Sequence, residues 1–476
     1  MTPGLAQLQP EIAPLVRRID AAPRERIVPL LSDQLRAGTP YRQLLAAAFL
    51  TAIGRGGHHS VYLLHAAHQL SLDAQRRDRH LPLFWALDVI KEHLTRFDYA
   101  PVPPLKGPLP TPESAAGEFD LAMEAGERER AERALVALLR SRGPGPTRER
   151  LWAYAGRDWS FIGHLAILVA NSVRTLDTIG WQHAEPVLRY VVAEQHKWAD
   201  GKLDGQPYAT NRERARRLLP NLPANWSAAG GDSAATLELL PVLRHGDWRP
   251  ACEAAAECLS KDAVPAGAVW DAVHLAAGEF MIRFTVGGRR INNRALHSNT
   301  ATNALHYAFR HCVGGETRLL LLLQAVAWVT DFMRIEAGRD MLRDLSITEI
   351  PAEPLPPTPE AAVEEIFSLL PPRHFGQENL EHRADQDRAS RLAFALGAEH
   401  PRSPLFLRAA RAYTARKATL NAHDYKFPVA IFEDLNQVSR GWRPHLMAAS
   451  IHYLHGEQME DNALFQQVGR RAAGDG

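Results

Sequence analysis

The feature that most constrains the fold is a set of short motifs that occurs twice along the chain, in the same order. His59 and His68 are matched at identical spacing by His297 and His306. Further matched pairs are Tyr41 with Trp270, Trp85 with Trp328, Thr111 with Thr358, His164 with His423, and Trp181 with Trp442. Because the separation between matched residues only increases along the chain, a tandem duplication with small insertions accounts for their order, whereas chance matches would scramble it.

Helical periodicity dominates the segments between these motifs. Apolar residues recur at three- and four-residue steps over 131–140 and 361–370, which is typical of amphipathic helices, and no convincing alternating strand pattern is found. We therefore predict an all-α protein made of two helical halves related by an approximate two-fold axis. The predicted boundaries are 1–215 for the first half, 216–249 for a linker rich in proline, asparagine and glycine, and 250–476 for the second half.

The starts of two helices can be predicted in detail. Thr111 and Thr358 are each followed by proline and then glutamate. Threonine is favoured at the N-cap, proline at the first helical position and glutamate in the first turn. We expect a helix to begin directly after each threonine.

Composition and missing motifs exclude several classes of function. The 476 residues carry 55 lysines and arginines against 54 aspartates and glutamates, so the nearly neutral chain offers no basic field for nucleic acid. The sequence contains no GxxxxGK, GxGxxG or GxSxG motif. This argues against nucleotide cofactors in their usual folds and against serine-based hydrolysis.

Cysteine usage and the apolar segments predict the compartment. The three cysteines form no CxxC pair, which indicates a reducing environment. The N-terminus lacks the charged start and apolar stretch of a signal peptide, so we expect a cytoplasmic protein. The most apolar run, Leu319 to Val329, is shorter than the roughly 20 residues that cross a membrane. We predict a buried helix there and no membrane contact.

Recurring histidines are the main candidates for chemistry. Histidine is a costly choice for a helical core, because both ring nitrogens need partners, so its recurrence indicates a role. The candidate metal ligands are His59, His68, His164, His297 and His306. The cofactor would be iron, manganese, copper or zinc, or there would be none. In the second case a neutral imidazole serves as a general base or proton shuttle.

The spacing of the first two histidines sets a condition on a shared site. His59 and His68 are nine residues apart, so on one continuous helix they point to opposite sides. A common site requires His59 to precede the helix, and the glycine-rich stretch 54–57 offers such a break. The structural alternative is that these histidines bond a carboxylate such as Asp88 or Asp331 and lock helices together.

The second half carries the more polar cluster. His423-Asp424-Tyr425-Lys426 stands where the first half has His164 followed by apolar residues. The candidate catalytic residues are His306, His423, Asp424 and Lys426; the candidate substrate-binding residues are His65, Asn303, Trp85 and Trp328. For the cluster, the alternative is a helix N-terminus with a solvated lysine. For the tryptophans, the alternative is a role as anchors between helices.

One stretch of the second half resembles a known family. His297-Ser-Asn-Thr-Ala-Thr-Asn-Ala-Leu-His306, in a long all-helical chain with repeated histidines, is similar to the questin oxidase-like proteins. The similarity covers two short stretches, 59–70 and 297–309. It implies an oxygenase that acts on an aromatic polyketide and needs no flavin.

Two functional hypotheses follow from the sequence. In the first, the halves enclose a histidine-lined apolar cavity, and the protein is an oxidoreductase of oxygenase type that transforms a small, largely apolar organic molecule. In the second, the protein is a helical scaffold or ligand-binding protein with structural histidines. Convergence of the repeated histidines favours the first, and local pairing of each favours the second. The near-neutral charge is compatible with a homodimer.

Overall fold

The all-helical prediction is confirmed. The structure, a computed structural model, describes residues 8–55, 57–76, 78–96, 103–157, 162–198, 207–261, 264–284, 293–339, 342–372 and 383–467. Throughout these ranges the regular elements are helices, and the one extended pairing is an isolated β-bridge between Phe284 and Leu342. The chain divides into two compact units: unit 1 comprises 1–206 with 310–314, and unit 2 comprises 207–309 with 315–476.

Unit 1 contains the first ten helices. They are α1 (Ala13–Ala21), α2 (Arg24–Arg36), α3 (Tyr41–Arg55), α4 (Gly57–Asp73), α5 (Leu81–Arg96), α6 (Ala115–Ala125), α7 (Arg128–Arg142), α8 (Pro144–Ala155), α9 (His164–Ile179) and α10 (Ala184–Trp198). A 3₁₀ turn at Trp181–His183 leads into α10. Helix α4 packs against α3, α5 and α9, and its central residues are buried. It is therefore the central helix around which the histidines of this unit are placed.

Unit 2 contains the remaining helices that the structure describes, except for the last two residues of α15, which belong to unit 1. They are α11 (Pro207–Leu218), α12 (Ser233–His245), α13 (Trp248–Ser260), α14 (Ala266–Arg283), α15 (Asn293–His311), α16 (Gly315–Ala337), α17 (Pro359–Ser368), α18 (Arg383–Glu399), α19 (Leu405–Lys417), α20 (His423–Asp434) and α21 (Arg443–Ser450). Three 3₁₀ turns lie at Leu219–Asn221, Ile347–Glu349 and Arg440–Trp442. Helix α14 is buried along almost its whole length.

The stretch 216–249, predicted as a linker, contains the end of α11, a 3₁₀ turn and the whole of α12. Asp232 caps α12, because its carboxylate accepts hydrogen bonds from the backbone N–H groups of Ala234 and Ala235 at 3.0 and 3.2 Å. The proline, asparagine and glycine residues at 220–231 thus lie between the end of α11 and the start of α12. Such residues signal a local turn, and a turn by itself does not separate domains.

The two predicted helix starts differ in outcome. Thr358 caps α17 as expected, with its hydroxyl oxygen accepting the N–H of Ala361 at 3.2 Å and with Pro359 as the first helical residue. Thr111 accepts the N–H of Ser114 at 3.4 Å, but this closes only a turn, and α6 begins at Ala115. The same three-residue pattern therefore gives a threonine-closed turn in both places, but a helix cap only at Thr358.

The most apolar run lies inside α16, as predicted. Leu319 to Val329 is buried, and so is Gln324, whose side-chain oxygen accepts a hydrogen bond from the Asn211 amide at 2.9 Å. This bond explains how a glutamine is tolerated in the middle of an apolar helix. Among the helices that the structure describes, none has the length and apolarity needed to cross a membrane.

Candidate histidine site

Three histidines of unit 1 come together where two helices begin. His58 and His59 lie in the first turn of α4, directly after Gly57, whose φ of 68° lets the chain turn sharply out of α3. His164 is the first residue of α9 and follows Ile162 and Gly163, both at positive φ (48° and 82°). A positive φ is strained for isoleucine. This turn sets the position of the His164 ring at the start of α9.

The spacing of these rings suits a metal ion. One ring nitrogen from each of His58, His59 and His164 lies within 4.8 Å of the others, and the Nε2 atoms of His59 and His164 are 3.3 Å apart. Metal–nitrogen bonds of about 2.0–2.1 Å in a tetrahedral site place ligand nitrogens roughly 3.3 Å apart. In the absence of an ion, the same contact requires one ring to donate a proton to the other. The geometry therefore fits either a shared cation or a shared proton.

Neighbouring side chains orient this cluster. The carboxylate of Glu194, on α10, lies 3.6 Å from Nδ1 of His58. The hydroxyl of Tyr62, one turn along α4 and fully buried, donates to the backbone carbonyl of His164 at 2.6 Å. A carboxylate behind an imidazole raises its basicity and fixes its orientation. Glu194 and Tyr62 thus serve as positioning residues for the cluster.

Unit 2 holds a second group of buried polar side chains. His297 on α15 and His423, the first residue of α20, meet edge to face with ring centroids 5.3 Å apart. The amine of Lys426 lies 2.9 Å from Nε2 of His297. Burial lowers the pKa of Lys426 well below its usual value. The lysine is therefore buried beside imidazole nitrogen, and the alternative of a solvated lysine at this helix start is wrong.

Asp424 belongs to a different group of contacts. Its carboxylate accepts the backbone N–H of Thr419 at 2.8 Å and the Thr419 hydroxyl at 2.6 Å, and lies 3.5 Å from Nε2 of His455. Burial alone would raise the pKa of Asp424, but His455 and the bonds from Thr419 hold it below the usual value. Adjacent helical residues point about 100° apart, so Asp424 and His423 point in different directions. The bonds to Thr419 mean that Asp424 holds the loop before α20.

The predicted catalytic residue His306 lies in a third group. Its Nδ1 is 2.8 Å from Nε2 of His274, and its ring stacks on Trp270 with centroids 4.3 Å apart. On the other side of His274, the Asp434 carboxylate lies 3.6 Å from Nδ1. The side chain of Asn303 donates to Asp434 at 2.8 Å. Asn303, predicted to bind substrate, thus connects α15 to α20.

Stability is expected to fall on acidification because of His274. Complete burial lowers the pKa of His274 from 6.5 to about 3. Between these pH values His274 is protonated in the unfolded chain and neutral in the folded chain. Unfolding free energy is therefore lost as the pH falls from 6.5 towards 3, by about 1.4 kcal/mol per pH unit for this group. Urea unfolding between pH 7 and 5 measures the slope. His274→Leu should make this slope shallower, and an unchanged slope would contradict this origin.

Most of the other predicted residues are buried or contact side chains of their own unit. Nδ1 of His68 lies 3.3 Å from the Tyr41 hydroxyl, and burial, with a smaller effect from the charge of His65, lowers the pKa of His68 to about 4. Burial raises the pKa of Tyr41 to about 12. Trp85 and Trp328 are buried, as anchors between helices should be. The carboxylates offered as structural partners both bind arginine, since Asp88 pairs with Arg24 and Asp331 with Arg334.

The five predicted metal ligands therefore separate. His59 and His164 meet, while His68, nine residues along the same helix from His59, lies roughly 13 Å further along its axis. His297 and His306 are separated in the same way on α15. His58 was not predicted, because its matched position in the second half is Leu296. Its position beside His59 after a glycine break is the sequence signal that could have identified it.

Comparisons with known proteins add no further constraint on this site. No protein-family profile, no curated protein and no solved structure matches the chain.

Proposed function

We propose that the protein is a metal-dependent oxidoreductase that acts on a small, largely apolar organic molecule. The observation that carries the proposal is the convergence of His58, His59 and His164 in unit 1, with ring nitrogens within 4.8 Å of one another. Imidazole suits iron, copper and zinc. Three ligands leave at least one coordination position for water, oxygen or substrate.

The charge of the ligand set supports a reactive ion. Neutral imidazoles would leave the positive charge of a bound divalent ion uncompensated, and the ion would then supply Lewis-acid polarisation at its open position. The Glu194 carboxylate lies 3.6 Å from Nδ1 of His58. It is placed to hold the His58 ring with Nδ1 protonated, which directs the Nε2 lone pair away from the carboxylate.

The proposal includes an internal duplication. Matched residues make matched contacts inside each unit: His59 with His164 and His297 with His423 meet edge to face, at centroid distances of 5.1 and 5.3 Å. His164 and His423 each begin a helix. Likewise, Tyr41 stacks on His68, and Trp270 on His306. These parallels support two related helical units. Among the residues that the structure describes, a third histidine joins the pair in unit 1.

The second candidate function is a non-catalytic scaffold or binding protein. It is favoured by the histidines that bond nearby groups, such as His196 with the Val192 carbonyl at 2.9 Å and His306 with His274 at 2.8 Å. Such pairing explains a buried histidine without any chemistry. It does not explain why three imidazoles turn their nitrogens towards one point.

Elemental analysis of the purified protein tests the proposal. Protein prepared without a metal-affinity column should contain about one transition-metal ion per chain, since three imidazoles can hold one ion. An absorption spectrum distinguishes coloured iron or copper from colourless zinc. Apo-protein prepared with a chelator should take up the same amount when the metal is returned. Metal-free protein that takes up no iron, manganese, copper or zinc would favour the scaffold.

A further inference from the structure

Both histidines of the unit 2 group are oriented as metal ligands are. Nδ1 of His297 lies 2.6 Å from the carbonyl oxygen of Asn293, and Nδ1 of His423 lies 2.9 Å from the side-chain oxygen of Asn421. That oxygen also accepts the backbone N–H of His423 at 3.1 Å, which fixes it as an acceptor. Since oxygen acceptors take the Nδ1 proton, each neutral ring keeps its lone pair on Nε2. Metal-binding histidines are fixed in this way.

Lys426 lies beside Nε2 of His297. It is three residues after His423 on α20, so the two side chains share a helix face. Its nitrogen is 2.9 Å from Nε2 of His297, less than about 1 Å beyond the length of a metal–nitrogen bond. The amine therefore occupies the direction in which an ion bound to His297 would lie.

Other buried lysines of the chain have different partners. Lys417 lies 3.0 Å from the Asp461 carboxylate and also donates to the backbone carbonyl of Met459. Lys91 donates to the carbonyl of Asp20 at 2.8 Å. Oxygen acceptors are the usual partners of a lysine donor. Lys426 contacts an imidazole lone pair, the group that metal ions also use.

We infer that unit 2 carries a latent transition-metal site, formed by His297 and His423 and closed by the amine of Lys426. The inference rests on the proposed function, because unit 1 supplies the histidine pair with which this one is compared. Unit 1 has His58 as a third ligand at the position where unit 2 has Leu296. The lysine thus closes this site in unit 2, and replacing it with a ligand should open it to a second ion.

The test counts Zn²⁺ bound per folded chain by equilibrium dialysis and elemental analysis. Wild-type protein should bind about one ion, and Lys426→His, which adds a third imidazole, about two. Lys426→Met removes the amine without adding a ligand and should stay at about one. Adding His297→Ala to Lys426→His should return the count to about one, because the new site loses a ligand.

Several outcomes separate this inference from the proposed function. Circular dichroism identifies folded variants, and Lys426→Cys, a smaller side chain with a thiolate ligand, serves if Lys426→His misfolds. If neither substitution yields a second ion in folded protein, the latent site is wrong. If wild-type protein binds no Zn²⁺ and Lys426→His binds one ion that His297→Ala removes, the proposed function fails while the latent site stands.

Discussion

Replacing His59 with alanine is expected to abolish metal binding in unit 1, and with it any activity that depends on the ion. His59 places its Nε2 3.3 Å from Nε2 of His164, so its loss leaves two of the three ligands. Removing groups that merely orient a ligand costs about 10- to 100-fold in affinity, and removing a ligand itself should cost at least about 100-fold. Titration of chelator-treated protein with Zn²⁺ measures the change.

The matched control for this variant is His68→Ala on the same helix. His68 pairs with Tyr41 and lies roughly 13 Å along the α4 axis from His59, so its removal should leave the metal content unchanged. Both variants should keep wild-type helical content, because α4 is held by apolar contacts along its buried face. Equal metal loss in both variants, or none in His59→Ala, would remove the three-histidine site from consideration.

Local signals predicted much of the fold. The apolar run of α16 and the cap of α17 could be predicted because each depends on a few neighbouring residues. The boundary between the two units after residue 206 is harder to predict from the sequence. A domain boundary depends on contacts between distant segments, whereas the glycine and proline cluster around 221–232 records only where helices stop.

The candidate site was predictable where it repeats. Recurrence brought forward His59 with His164 and His297 with His423, and both pairs are in contact. The requirement that a histidine recur in both halves excluded His58, because its matched residue in the second half is Leu296. Spacing alone could not decide whether His59 precedes α4 or belongs to it, because that depends on the conformation of Gly57. Recurrence also gave no information on distance, so five metal ligands were predicted together. On one helix, nine residues place His59 and His68, or His297 and His306, roughly 13 Å apart.

Replacing Glu279 with alanine is expected to produce the largest loss of stability in unit 2. Glu279 is completely buried on α14, and its carboxylate accepts two hydrogen bonds from Arg244 at 2.6 Å and one from Arg283 at 3.3 Å. It also accepts the backbone N–H of Ile347 at 3.0 Å. Removing the carboxylate leaves two guanidinium groups and an amide without this acceptor, and such a break costs about 3–5 kcal/mol.

Urea unfolding followed by circular dichroism measures this cost. Glu279→Gln, which keeps one oxygen acceptor but no charge, should fall between wild type and Glu279→Ala. The matched control is Glu238→Ala, because Glu238 pairs with Lys261 at 3.3 Å and both side chains are more than half exposed. Water replaces an exposed pair at little cost, so this variant should lose at most about 1 kcal/mol. Equal losses for Glu279→Ala and Glu238→Ala would show that Arg244 and Arg283 find other partners, and that α14 does not depend on this carboxylate.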